Sequence, residues 1–197
     1  MADTYAETVA LVAELSKKSF ADHKLTLEGP NEWRCGKPFT VIYSFRVLLR
    51  PGAVVVWGDL GEWILRHGDN DSLGWLRDAV HSSDYLLEKV QASKRPVEEF
   101  YAADALALLK NVSEIEDNHG PVVAQKVVEE LEGEDAFSLT FEGWNRAWFD
   151  AGADEWNRVE YPSASSLWLV ELLRKFVALE SVSAGGGEED RHGRPRS

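Results

Sequence analysis

The chain is poor in the residues that build the commonest chemical sites. It holds a single cysteine, Cys35, which excludes an intramolecular disulfide and a cysteine-built zinc site and fits a reducing compartment. No apolar run approaches the roughly 20 residues of a membrane-spanning helix. Asp3 and Glu7 stand where a secretory signal would be positive. The expectation is a soluble protein of the cytoplasm that does not engage a membrane. Neither a Gly-x-x-x-x-Gly-Lys-Ser/Thr loop nor a Gly-x-Gly-x-x-Gly turn occurs, and Gly185-Gly186-Gly187 is followed by nothing that could form the helix a phosphate cradle requires. Nucleotide binding through a standard glycine loop is therefore excluded. His67, His81 and His119 are scattered, without the i, i+4 pairing of a zinc hydrolase. No metal and no cofactor is expected.

Positive charge is scarce in one half only. The formal net charge is −13; residues 1–95 carry 13 Asp and Glu against 12 Lys and Arg, residues 96–197 carry 21 against 9. A duplex phosphate backbone would be repelled over the acidic half, so direct duplex binding is not expected, whereas a protein partner with a basic surface is admissible.

What is present is legible first in Thr40–Arg66. Val41, Tyr43, Phe45, Val47 and Leu49 alternate with Thr40, Ser44, Arg46 and Arg50, interrupted by Ile42 and Leu48, predicting a half-buried strand. Pro51-Gly52 supplies the fixed φ and the positive φ of a type II turn. Ala53–Trp57 is β-branched and aromatic, Gly58-Asp59-Leu60-Gly61 reverses the chain again, and Glu62–Arg66 predicts a third strand with Trp63 and Leu65 facing inward. His23–Leu27 could add a short strand, and residues 31–38 read as a loop. A three-stranded meander needs a covering layer. The series Tyr43-x-Phe45-x-Val47, Pro51-Gly52 and Gly58-Asp59-x-Gly61, followed by a short helix, is similar to a group of small proteins encoded by bacteriophages and prophages, over roughly residues 33–90. The resemblance implies a bacterial host as the setting. It implies no catalytic residues.

Helices are expected on both sides of this segment. Thr4-x-x-Glu7 has the capping-box form ahead of Tyr5, Val9, Val12 and Leu15. Asp71, and then Ser83 or Asp84, can cap helices bearing Trp75, Leu76, Leu86, Leu87 and Val90. Pro96 can open the next, Pro121 restarts the chain after Asn118-His119-Gly120, and Phe137, Phe141, Trp144 and Trp148 share a stripe that Gly152 ends. Leu169, Leu172, Leu173 and Phe176 mark the last helix. From Ser181 the composition turns to Ser, Gly, Glu and Arg, as in a disordered tail. The fold class is α+β, a small antiparallel β-meander covered by helices (1–95) with a mainly helical acidic half packed on it (96–180) and a tail (181–197).

Two sets of side chains could carry chemistry. Asp59, Glu62 and His67 lie within nine positions around the second turn and could form an acid/base set, although a Gly-Asp-x-Gly aspartate is also a turn former. Cys35, with Arg34 and Lys37 of the sign that lowers a thiol pKa, is a candidate nucleophile. For partner binding the candidates are Glu142, Asp150, Asp154, Glu155 and Trp156, an acidic surface carrying an interface-type aromatic; Trp144 and Trp148 are read as core. The function expected from charge and resemblance is a phage-encoded, non-enzymatic binding protein that occludes a host protein, an antagonist of bacterial defence of the anti-CRISPR kind being one form. The alternatives are a small enzyme built on Asp59, Glu62 and His67 or on Cys35, and a structural or assembly protein of the phage particle.

Overall fold

The computed structural model describes residues 4–153 and 159–185, and the chain divides into two compact units, Val12–Val97 with Ser163–Ser197 and Met1–Leu11 with Glu98–Pro162. The first is built on an antiparallel sheet in simple meander order: β1 (Lys24–Gly29), β2 (Glu32–Gly36), β3 (Phe45–Arg50), β4 (Ala53–Gly58), β5 (Gly61–Arg66) and β6 (Val90–Ser93). The three strands expected from the sequence are β3 to β5. Gly52 takes a φ of 76° in the turn between the first two, and Gly58 lies so close to β3 that a Cβ there would collide with the Ser44 carbonyl oxygen and stand 2.7 Å from Phe45 Cα. Phe45, Val47, Leu49, Val54, Val56, Trp63 and Leu65 all point to the buried face.

The meander is twice as long as expected, for a reason visible in its register. Residues 31–38, read as a loop, contain β2, because Trp33 and Cys35 sit opposite Val47 and Phe45 and continue their apolar face. Conversely, Thr40–Ser44 does not extend β3. Val41 and Ile42 are exposed, and Tyr43 takes a φ of 57°, which breaks the pleat. Val90 belongs to β6 rather than to a helix.

Within this unit the covering layer is α2 (Ser72–Ala79), α3 (Ser83–Glu88), the end of α1 (Tyr5–Ser19) and α8 (Ala164–Gly185). Asp71 caps α2 by accepting from the Gly74 N–H at 3.0 Å, while Ser82, one residue before the expected position, caps α3. The capping box of Thr4 and Glu7 forms in both directions. The buried stripe of α1, however, is Thr8, Val12, Ser16, and Phe20 beyond its end, not Val9 and Leu15, which are exposed. Thr8 and Ser16 turn their hydroxyls back onto the carbonyls of Thr4 and Ala13, so burying them leaves no donor unpaired.

Helix α8 corrects the expected division of the chain. Leu169, Leu172, Leu173 and Phe176, at the spacing of one helix face, join the same buried cluster as Val47, Val56 and Leu65, so the last helix belongs with the sheet and not with the acidic region. Its start is held by Ser163, whose backbone N–H donates to the Val97 carbonyl at 2.8 Å and whose Oγ donates to the Pro96 carbonyl at 2.7 Å. It runs to Gly185, past the expected start of the tail, with Ser181 and Ser183 donating to the carbonyls of Val177 and Leu179; residues 186–197 lie outside the described residues.

The second unit is helical: α4 (Ala102–Lys110), α5 (Val112–His119), α6 (Pro121–Glu130) and α7 (Phe141–Ala151), with the short strands β7 (Glu98–Phe100) and β8 (Glu160–Pro162) paired antiparallel. Pro96 does not open a helix, since the residues after it pair as β7. Proline does open α6 at its first turn, after Gly120 at a φ of 84°. The core holds Ala105, Ile115, Ala124, Val127, Trp144 and Trp148, the two tryptophans packing ring to ring at 5.6 Å.

Candidate functional site

The proposed acid/base set does not assemble. Asp59 and Glu62 lie at one end of the β4–β5 hairpin and His67 just beyond the other end of β5, so most of an extended strand, roughly 17 Å, separates Glu62 from His67. Each is engaged locally. Asp59 Oδ2 accepts from the backbone N–H of Tyr43 at 2.9 Å, and Tyr43 is also bound through its carbonyl by His23 Nε2 at 3.0 Å. Since that carbonyl can only accept, His23 carries its proton on Nε2. The aspartate therefore works as a turn residue, pinning the left-handed Tyr43. Its amide partner comes from the preceding connection and not from its own turn. Glu62 Oε1 stands 3.6 Å from Lys94 Nζ at the surface.

His67 lies flat on Trp75, ring centres 4.2 Å apart and planes 6° from parallel. Its Nδ1 accepts from the Asp69 N–H at 3.2 Å, so Nε2 holds the proton, and that atom is buried without a partner. Burial depresses the pKa of His67, with Asp69 opposing. The result is a neutral ring with its acceptor occupied and its donor enclosed, a poor general base. Trp75 in turn donates from Nε1 to the Tyr85 hydroxyl at 3.3 Å, and these rings border an open cleft of about 690 Å³ that also exposes Asp69, Asp71 and Arg77.

Cys35 is a core residue, wholly buried on the inner face of β2. Burial pushes its thiol up to about 12, against a smaller opposing pull from Lys175. Arg34 and Lys37 do not lower it: successive residues of a strand face opposite sides, so Arg34 points away from the thiol. The thiolate needed for nucleophilic attack is not formed near neutrality. Among the described residues no group of three or more His, Cys, Asp or Glu side chains could hold a metal ion, and no helix is long and apolar enough to cross a membrane.

The partner-binding candidates divide. Glu142 and Asp150 are exposed on α7, on one face with Phe149, since positions i, i+7 and i+8 share a side of a helix. Asp154, Glu155 and Trp156 lie outside the described residues. Trp144 and Trp148 are buried, so among the described residues of this unit the large aromatics most open to solvent are phenylalanines. Phe149 is 73% exposed and Phe137 is 99% exposed. Phe137 was expected in the stripe of α7, but that helix begins only at Phe141, capped by Thr140, whose Oγ1 accepts from Gly143 N–H at 3.0 Å. Instead Asp135 Oδ1 accepts from the N–H groups of Phe137 and Ser138, each at 2.9 Å, and closes a tight turn with Phe137 at its tip. These bonds hold the carboxyl of Asp135 below the usual aspartate range. Glu129, Glu130, Glu132 and Glu134, immediately before it, are all exposed. An Asp-x-x-Ser turn of this kind was readable at Asp135–Ser138 and is the signal that a helical periodicity reading overlooked.

No family model matches the chain, and no curated protein or protein of solved structure matches it either. The geometry itself defines a two-unit α+β protein whose helical unit bears all of the net negative charge. Of the 34 Asp and Glu residues, 18 fall in Met1–Leu11 and Glu98–Pro162, with only 4 of the 21 Lys and Arg, a net of −14; the sheet unit has a net of +1.

Proposed function

We propose that the protein is a non-enzymatic binding protein whose helical unit docks on a basic protein and occludes it. The observation that carries this reading is Phe149, an exposed aromatic on the same face of α7 as Glu142 and Asp150. A desolvated aromatic supplies affinity at low side-chain entropy cost, and surrounding carboxylates steer a cationic partner and raise the rate of encounter. Phe137, presented beside the acidic run Glu129–Asp135, is a second anchor of the same type. The resemblance to bacteriophage-encoded proteins favours a bacterial host protein as the target, a component of a defence system being one form.

The test is capture from bacterial host lysate by tagged wild-type protein, beside Phe149→Ala and the double variant Glu142→Lys/Asp150→Lys, at low and high salt. A partner retained by wild type at low salt, released at high salt and missed by both variants supports the reading. A partner held equally by the variants places binding elsewhere and overturns the assignment to α7.

A further inference from the structure

The sheet has a second face that the helices of its own unit leave open, and its residues are ordered in rows by the strand register. One row crosses five strands: Thr26 lies opposite Arg34, Arg34 opposite Arg46, Arg46 opposite Trp57, and Trp57 opposite Glu62. The next begins with Glu32 on β2 and is otherwise apolar, running Leu48, Val55, Ile64 and Ala92. The third sets Arg50 and Arg66 on either side of Ala53. Lys24, Arg34, Arg46, Arg50 and Arg66 on this face outnumber Glu28, Glu32 and Glu62, so against the whole chain's charge of −13 it is basic. Two features of the first row are unfavourable in isolation. Arg34 and Arg46 are like charges directly opposite each other, an arrangement that destabilises a sheet, and among the described residues an ion pair to a carboxylate is formed by Arg46, with Glu28 at 2.8 Å, and not by Arg34. Trp57 stands next to them on the solvent side of the sheet rather than in the core. Arg34 borders an open cleft on each side, one of about 290 Å³ shared with Arg46 and Trp57 and one of about 280 Å³ shared with Lys24, Thr26 and Lys37.

We propose that this face binds single-stranded nucleic acid, with phosphates seated between Arg34 and Arg46 and a base stacked on Trp57. An anion between the two guanidiniums converts their mutual repulsion into paired attraction. An indole beside a cationic groove is the combination that holds single strands without sequence preference. The footprint favours a narrow ligand: six strands about 4.8 Å apart and about 20 Å long give roughly 500 Å², short of the roughly 800 Å² per partner of a stable protein interface. A flexible single strand can follow the cationic row alone and turn an unpaired base onto Trp57, whereas the bases of a duplex are paired and stacked within it.

Fluorescence anisotropy of the full chain with a labelled 20-nucleotide oligothymidylate in 50 mM NaCl tests this. Binding is expected, weakening about 20-fold at 200 mM NaCl if about three phosphates are neutralised. Trp57→Ala should weaken it about tenfold, and Arg34→Gln/Arg46→Gln should weaken it further and flatten the salt dependence. Both changes are on the solvent side of the sheet, and an unchanged melting curve checks the fold. Absence of binding at 50 mM, binding indifferent to these variants, or tighter binding of a 20-base-pair duplex overturns the proposal. Displacement of the oligonucleotide by polyglutamate with equal potency from wild type and Trp57→Ala also overturns it, in favour of an acidic protein segment.

Discussion

The two units differ more in charge than in construction. Each has a buried aromatic centre, Trp63 with Phe45 and Phe176 in one and Trp144 with Trp148 in the other, yet their net charges are +1 and −14. A core sets which residues are inside and leaves the surface charge free to follow the partner. Cutting the sequence at its middle blurs this contrast, because α8 lies in the acidic half of the chain while its apolar face completes the sheet unit. Divided by packing, the chain separates a strongly acidic helical unit from a sheet unit that is nearly neutral. That the apolar side chains have equal tasks in the two units, and the charged ones opposite tasks, can be broken experimentally at each level.

The largest effect should come from the cores. Trp63→Ala and Trp148→Ala each remove a buried indole and should each cost about 3–5 kcal/mol. Hydrogen exchange followed by mass spectrometry distinguishes the units: Trp63→Ala should lower protection in β3 to β5 and α8 first, Trp148→Ala in α5 to α7 first. Equal loss of protection across the chain from either change would show one cooperative core and dissolve the comparison.

Strand and helix type were legible wherever the period was clean. Phe45, Val47 and Leu49 alternate with Arg46, Leu48 and Arg50, a period that the single apolar Leu48 does not hide, Pro51-Gly52 fixes the turn, and α8 repeats leucines at helical spacing, so these elements follow from local rules. The errors occur where tertiary partners decide. Trp33 and Cys35 form a strand only because Val47 and Phe45 lie opposite. The stripe of α1 includes Thr8 and Ser16, which no hydropathy pattern selects, because their hydroxyls close on their own helix. Asp59 beside His67 in sequence suggested a site, but an extended strand carries neighbours apart and alternates their faces. Exposed Phe137 was lost because Phe137, Phe141, Trp144 and Trp148 fit a helical stripe that the Asp135 turn interrupts. The row of Arg34, Arg46 and Trp57 was invisible in principle, since it runs across strands and exists only in the register.

A smaller effect distinguishes the units by acid. Burial depresses the pKa of both His23 and His67, the first with its backbone bond to Tyr43 opposing, and both belong to the sheet unit. With the folded pKa below that of the unfolded chain, these rings contribute stability that is fully present above the ordinary histidine value near 6.5, and is lost as pH falls through it toward the folded values. The melting temperature should fall between pH 7.5 and pH 5.5, with exchange protection in the sheet unit lost first. His23→Gln, whose amide can still donate to the Tyr43 carbonyl, should flatten the fall. A melting temperature unchanged over that interval would mean that both rings remain solvated in the folded protein.

The smallest effect on stability should accompany a clear effect on binding. Asp135 holds Phe137 at the tip of its turn through two backbone N–H bonds at 2.9 Å, and neither residue contributes to the buried cluster of the helical unit. Asp135→Ala should therefore leave the melting temperature nearly unchanged while allowing the turn to sample other conformations, so that a partner gripping Phe137 is bound more weakly. Asp135→Asn keeps an acceptor and removes the charge, which separates the two contributions. If the turn matters, asparagine preserves affinity at high salt and alanine does not; if charge alone matters, both variants lose the same fraction at low salt. Equal and full affinity of both variants would confine recognition to the face of α7, with Phe137 as a bystander. Loss with alanine and retention with asparagine would make the acidic unit a positioned aromatic surface, whose carboxylates shape the turn as well as steer the partner.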